Sequence, residues 1–173
     1  MRVLIVDGFN VLRSGERYAH LVGDEHALDA LNTARETLLT DVATFAQGTY
    51  RATVVFDAAN NPLSNGEAQD FAGVDVIFSP AGISADSVIE ELARQAVKRG
   101  EEVLVVTSDA QTQWTVLGDK VTRMSAAGFS AEIGVIQAGI VESNTESQMK
   151  TTLGERLDDR TREALRRWVR GKQ

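Results

Sequence analysis

The sequence predicts an α/β fold with a central, mostly parallel sheet, and three observations carry that prediction. Apolar runs rich in β-branched residues, above all Val3-Leu4-Ile5-Val6 and Val103-Leu104-Val105-Val106, read as strands buried on both faces. Stretches with apolar residues at helical spacing separate these runs, and strand alternating with helix gives a parallel sheet through right-handed crossovers. No internal repeat or long linker breaks the alternation, and 173 residues suit one domain with a full core.

The first strand, Val3 to Val6, runs into Asp7-Gly8-Phe9-Asn10. A carboxylate closing a buried strand is costly to desolvate, so Asp7 needs a partner, a cation or an open cleft. Gly8 is expected to let the backbone turn sharply, and Asn10 to cap the next segment or add a polar ligand to the same cleft. Val11 to Asp24, polar and irregular with Gly15 and Gly23, reads as a loop or short helical turn. His26 to Gln47 reads as an amphipathic helix with Leu28, Leu31, Leu38, Val42 and Phe45 on one stripe and Gly48 as its stop.

Ala52 to Phe56 is a second buried strand, again ending in an acid, Asp57. Asn60 to Gly66 is dense in turn formers, and the loop running on to Gln69 reads either as a substrate-side flap or as a plain connection. Val74 to Phe78 is a third strand, closed by Ser79-Pro80. Ser84 caps a helix to Arg99 with Ala85, Val88, Ile89, Leu92, Ala93 and Ala96 facing the core, and Gly100 ends it. Thr107-Ser108-Asp109 follows the strand Val103 to Val106. Next come a short helix over Gln111 to Leu117, a weak strand over Val121 to Met124 and a helix over Ser125 to Asn144. A strongly charged helix, Leu153 to Arg170, closes the chain. The expected division is a body over residues 1–150 and a basic C-terminal helix over 151–173 packed on it.

The chain has no cysteine, which excludes disulfides, thiolate metal sites and cysteine nucleophiles. His20 and His26 lie in a polar stretch and read as solvated, so any metal here should be held by oxygen. No apolar run approaches the roughly 18 residues of a membrane span. The chain opens on a strand without a signal-peptide pattern. A cytoplasmic protein with no membrane partner is therefore expected. The formal charge is −7, but residues 151–173 hold seven Lys or Arg against four Asp or Glu, leaving −10 on the preceding 150. An acidic body repels polyanions and a basic end partly offsets that, so charge alone leaves nucleic-acid binding open.

Three strands each deliver an acid at their carboxyl ends: Asp7, Asp57 and Asp109. Asp86 sits in the first turn of the helix after the third strand, with Glu90 one turn further along the same face. Ligands of open parallel sheets bind at that edge, near the point where strand order reverses. Carboxylates gathered there repel one another, and some are driven to hold protons at neutral pH. Mg²⁺ or Mn²⁺ would remove the conflict and prefers such oxygen ligands. A cation so held activates water and stabilises charge on a phosphodiester, the chemistry of metal-dependent nucleases and phosphatases. Any one of these acids reads as readily as a helix cap or turn residue; the set of four favours the cation. There is no G-x-x-x-x-G-K-[ST] and no G-x-G-x-x-G after a strand. A phospho-acceptor receiver would want a second acid where Gly8 stands, and a Ser-His-Asp hydrolase lacks both a credible histidine and its elbow.

Val6-Asp7-Gly8-Phe9-Asn10, Val55-Phe56-Asp57-Ala58, Ser84-Ala85-Asp86 with Glu90, and Thr107-Ser108-Asp109 followed by Gln113-Trp114 form an ordered series. With the terminal Arg166-Arg167-Trp168 and Gly171, the series resembles the NYN-domain branch of the PIN-like nucleases, and within it the bacterial YacP-type endoribonucleases. The resemblance covers essentially the whole chain. It implies a PIN-like three-layer α/β/α sandwich and endonucleolytic cleavage of RNA dependent on Mg²⁺ or Mn²⁺. By position it implies that Asp7, Asp86 and Asp109 are the catalytic, metal-binding acids and that Asn10, Glu90 and Ser108 assist them. Asp57 either joins them at the metal or orients water or Asn10. Phe9 stands where Tyr is common in that family, and either ring packs there.

Two further features stay open on the sequence. Trp114 is either a base-stacking platform or a core residue. Arg156, Arg160, Arg166, Arg167 and Arg170 form either an RNA-binding face or, with Asp158, Asp159 and Glu163 between them, a solvated ion-paired helix. The expected function is a metal-dependent endoribonuclease cutting RNA, with mRNA as substrate and the ribosome or another ribonucleoprotein as the assembly presenting it. The alternatives are a catalytically weak RNA- or ribosome-docking module that keeps the acidic site and, more distantly, a metal-dependent phosphatase.

Overall fold

A computed structural model describes residues 2–22, 28–58, 64–109 and 120–156. These form six strands, β1 (Arg2–Asp7), β2 (Tyr50–Phe56), β3 (Ala68–Phe71), β4 (Val74–Phe78), β5 (Val103–Val106) and β6 (Val121–Met124). The helices among them are α1 (Gly8–Ser14), α2 (Glu16–Val22), α3 (Leu28–Ala46), α4 (Ala85–Lys98) and α5 (Ala126–Arg156). The strands make one sheet in the order β3-β4-β2-β1-β5-β6. All neighbours are parallel except β3, which pairs antiparallel with β4.

β1 is flanked on both sides, Val6 standing opposite Val54 of β2 and Val106 of β5. Its run from Val3 to Val6 suits that position, since it buries apolar side chains on both faces of the sheet. On one face α4 packs Ala85, Ile89, Ala93 and Ala96 against Val3, Ile5, Val55, Val103 and Val105. On the other, Arg35 of α3 lies over the rings of Phe56 and Phe78, which stack with centroids 5.5 Å apart. There Phe45 of α3 also meets Phe129, near the start of α5, edge-on at 5.3 Å. Helices thus cover both faces of a mostly parallel sheet, the layered α/β architecture expected from the sequence. Ser84 caps α4 as expected, its hydroxyl accepting the Ser87 N–H at 3.2 Å.

Four expectations need correction. Val11 to Asp24 is largely helical: α1 and α2 occupy it, meeting at Gly15. What holds α2 is tertiary. Arg17 Nε and Nη2 donate to Asp41 of α3 at 2.6 and 3.3 Å, and the buried Tyr18 hydroxyl donates to the same carboxylate at 2.9 Å. Gly8 is needed for closeness, not for a turn: a Cβ there would lie 2.3 Å from the Phe56 ring, so only glycine brings α1 onto β2. The reach from Asn60 to Gln69 is not all loop, since Ala68 and Gln69 begin β3. A two-residue turn, Ala72-Gly73 with φ of 51° and 82°, closes the β3–β4 hairpin, and positive φ at both positions is the geometry such hairpins require. Finally, α5 does not stop at Asn144 but runs unbroken to Arg156.

The chain forms two compact units, Met1–Ile133, which holds the whole sheet, and Gly134–Gln173. The helix expected over Gln111 to Leu117, Trp114, and the arginines Arg160, Arg166, Arg167 and Arg170 lie outside the described residues. Among the described residues no helix is long and apolar enough to cross a membrane.

Candidate functional site

The chain runs from β1 out through β2 to β4 and then returns to β5 on the other side of β1. The reversal of strand order therefore falls between β1 and β5, where such sheets bind their ligands. Asp7 is the last residue of β1 and only 8% exposed. One of its oxygens accepts the Asn10 N–H at 3.1 Å, which caps α1. Burial pushes the Asp7 pKa up to about 6, and the nearby charges of Asp86 and Asp109 push the same way. The Asn10 amide and the Thr107 hydroxyl oppose that shift without cancelling it.

Asp86, half-buried in the first turn of α4, is also raised, by burial first and then by Asp109, Glu90 and Asp57. Asp7, Asp57, Asp86, Glu90 and Asp109, drawn from β1, the end of β2, α4 and the end of β5, thus share one electrostatic environment. It is an open arrangement: among the described residues no three acids already stand at the spacing of a single-ion site.

The auxiliary residues form a strut. The Asn10 side-chain oxygen accepts the Ser108 N–H at 2.7 Å, and the Ser108 hydroxyl accepts the N–H of Ala126 at 3.2 Å, where α5 begins. Asn10 therefore ties the start of α1 to the end of β5, and the capping role proposed for it belongs to Asp7. The Asp109 N–H donates to Thr107 Oγ1 at 3.1 Å, so one hydroxyl serves two of the acids. Asp57, exposed just past β2, is steadied by a residue the sequence had shown only as a strand stop. Buried Ser79 donates its N–H to the Phe56 carbonyl at 2.8 Å and accepts the Ala58 N–H at 3.1 Å. Arg123 was also missed; it donates to the Asp109 carbonyl at 3.2 Å from a strand with no distinguishing motif.

The donor set is all oxygen and its excess charge is negative, which fits a hard divalent cation in chemistry and in sign.

Across residues 4–170 the chain matches the family model of the YacP-like NYN domain. It is similar to a Bacillus subtilis (strain 168) protein described as uncharacterized protein YacP, 28% identical over 175 residues that span 99% of this chain and 98% of that one. A crystal structure of Rae1 (YacP) from Bacillus subtilis shares the fold with a TM-score of 0.68, at 28% identity over 99% of this chain and 96% of that one. A second, of a point mutant of the same protein, gives a TM-score of 0.68 at 29% identity, over 90% and 89% of the two chains.

Proposed function

The chain belongs to the YacP-like NYN domain family, a nuclease-type, RNA-related family, and from that premise we propose that it is a divalent-metal-dependent endoribonuclease of the cytoplasm acting on mRNA. One observation carries the reading. Asp7 is a nearly buried carboxylate whose charged neighbours, among the described residues, are other carboxylates. That arrangement lacks a positive charge from outside the chain.

Asp7, Asp86 and Asp109 would hold Mg²⁺ or Mn²⁺, with Asp57 as a further ligand. Bound there, the cation supplies activated water and stabilises charge on the phosphodiester. The protein's own residues set the frame for this. The strut Asn10–Ser108 fixes the start of α1 against the end of β5, and Thr107 steadies both Asp7 and Asp109. Glu90, one turn beyond Asp86, adds negative charge on the α4 side. The test is cleavage of a panel of structured RNAs with Mg²⁺, Mn²⁺ or EDTA. Asp7→Asn keeps a side chain that can cap α1, so it should fold and lose activity by more than the ~10–100-fold typical of an outer-sphere partner. A folded Asp7→Asn protein that still cuts would sink the assignment.

The docking reading is kept because of the charge distribution, −10 on residues 1–150 and +3 on the remainder. Phosphate contacts supply most non-specific affinity, so RNA is expected to reach this acidic body through a larger assembly, the ribosome above all, with Arg166, Arg167 and Arg170 making the contact. Reversing Arg166 and Arg167 to Glu should impair cleavage of the presented substrate and leave metal-induced stabilisation intact. Efficient cutting of naked RNA at physiological salt, or full activity of the double reversal, would refute that route. Binding that survives EDTA and Asp7→Asn, with no cleavage in any metal, would make the protein a docking module.

A further inference from the structure

The carboxyl edge of the sheet carries a second set of side chains, on the face opposite α4, which the metal chemistry does not use. Phe9 of α1, Phe56 at the end of β2 and Phe78 at the end of β4 form an aromatic cluster, with Phe9 and Phe56 edge-to-face at 5.2 Å. The Arg35 guanidinium carbon lies 5.2, 5.5 and 5.6 Å from the centroids of these three rings, and that of Arg13 lies 5.9 Å from Phe9.

These two differ from the other arginines whose surroundings the structure describes. Arg2, Arg17, Arg51, Arg94 and Arg99 are paired with carboxylates, and Arg123 donates to a carbonyl. Arg13 and Arg35 have no acidic partner among the described residues. Arg35 makes one long hydrogen bond, 3.4 Å to the Asn32 side chain, and its Nε is buried without a hydrogen-bond partner. Its pKa is lowered by burial, with no neighbouring carboxylate to offset it. Among the described residues, five arginines are paired with carboxylates while Arg13 and Arg35 stand over aromatic rings. Phe9 follows Asp7 by two residues and Phe56 directly precedes Asp57, so the rings that carry the two arginines stand at the same sheet edge as the acids. Guanidinium over an aromatic face retains its charge and its in-plane N–H donors, which suit a phosphate.

We infer that Arg13 and Arg35, carried on Phe9, Phe56 and Phe78, form a phosphate subsite for the RNA strand. They would hold a backbone phosphate next to the one placed at the carboxylates, so that the strand crosses the sheet edge from the β5 side over β1 towards β4. This rests on the endoribonuclease reading and adds to it the path of the substrate.

The test uses the full-length chain, a labelled single-stranded RNA in EDTA, and Arg35→Met, a side chain that packs on the three rings without charge. Binding should weaken about fivefold to tenfold, equally for RNAs of different sequence, because phosphate contacts carry no sequence information. The slope of log affinity against log salt should become shallower by about 0.7 for each phosphate the variant no longer neutralises. Arg13→Gln should act in the same direction, and Arg35→Lys should retain most of the salt slope. In a cleavage assay Arg35→Met should raise KM and change kcat little. Its Tm should stay within a few degrees of wild type, whereas a purely structural Arg35 would lower Tm and leave the salt slope alone. Unchanged affinity and slope in folded Arg35→Met, with a wild type that cleaves, would overturn the subsite and leave the nuclease reading standing. RNA binding weakened by Arg35→Met in a protein that cuts nothing would do the reverse. A wild type that binds no RNA even at low salt would remove the subsite and leave the nuclease reading to the cleavage assay.

Discussion

Asp7 and Asp41 are both buried aspartates, 8% and 4% exposed, in opposite surroundings. Asp41 is answered by its own chain: Arg17 reaches it with two nitrogens and Tyr18 with its hydroxyl. Burial and the adjacent charge hold the Tyr18 pKa above its ordinary value, so the phenol remains a donor. Asp7 receives one amide and one hydroxyl, and the charges near it are of its own sign. The first arrangement locks α2 to α3. The second has no such answer among the described residues, and on the proposed reading the difference between them separates a structural carboxylate from one kept for a cation.

The largest effect should come from breaking the lock. Asp41→Ala leaves a half-buried guanidinium and a buried phenol without their acceptor. It should cost about 3–5 kcal/mol, lowering Tm by roughly 10 °C, measured by thermal denaturation. A loss under about 1 kcal/mol would mean the cluster is only decorative.

Asp7 should respond with the opposite sign. Its folded pKa, about 6, lies above the ordinary carboxylate value of 3.8, so the folded state prefers the protonated form. The penalty is absent below about pH 4, grows as pH rises through 6 and is full above it, worth roughly 3 kcal/mol. In EDTA the wild type should therefore lose stability between pH 4 and 7 in urea titrations, while Asp7→Asn shows a flatter profile and greater stability at pH 7. Millimolar Mg²⁺ or Mn²⁺ should restore the wild type by about 2.7 kcal/mol at a hundred times Kd and have little effect on the variant. A metal response equal in both proteins would erase the distinction between the two aspartates.

How far the sequence displayed this depends on how local each signal is. β1, β2, β4 and β5 announce themselves because burial demands largely apolar runs, and the acids at the ends of β1, β2 and β5 follow from chain position alone. β3, Ala68-Gln69-Asp70-Phe71, is an edge strand with one large apolar residue, set by a turn that uses Ala-Gly where Asn-Gly is the recognisable signal. α1 was hidden because it starts at a glycine, normally a helix breaker, placed there by the Phe56 ring. Asp41 and Arg35 look like ordinary polar helix residues until α1, α2 and the sheet are in place around them. The acids of the candidate site could be picked out of the sequence, and the strut beside them could not, since a bond between residues 10 and 108 leaves no mark on either neighbourhood.

The smallest effect concerns that edge hairpin. Ala72 holds φ at 51°, a conformation that costs an L-residue with a Cβ about 1 kcal/mol and suits Asn better. Ala72→Asn should stabilise by about 0.5–1 kcal/mol in urea titrations and leave both aspartates' behaviour unchanged. A destabilised variant would show that the turn is held by contacts other than its own backbone preference.

The place of β1 in the sheet also fixes when the protein becomes a complete machine. β1 is the first strand to be synthesised, yet one of its two neighbours, β5, ends at residue 106. At about 5–20 residues per second of synthesis, roughly 5–20 s separate the appearance of Asp7 from that of Asp109. Until then the nascent chain has one wall of its acidic edge, and its central strand lacks half of its pairing. A chain interrupted before β5 therefore lacks one wall of the acidic edge, and on the proposed reading truncated products of its own translation would be silent.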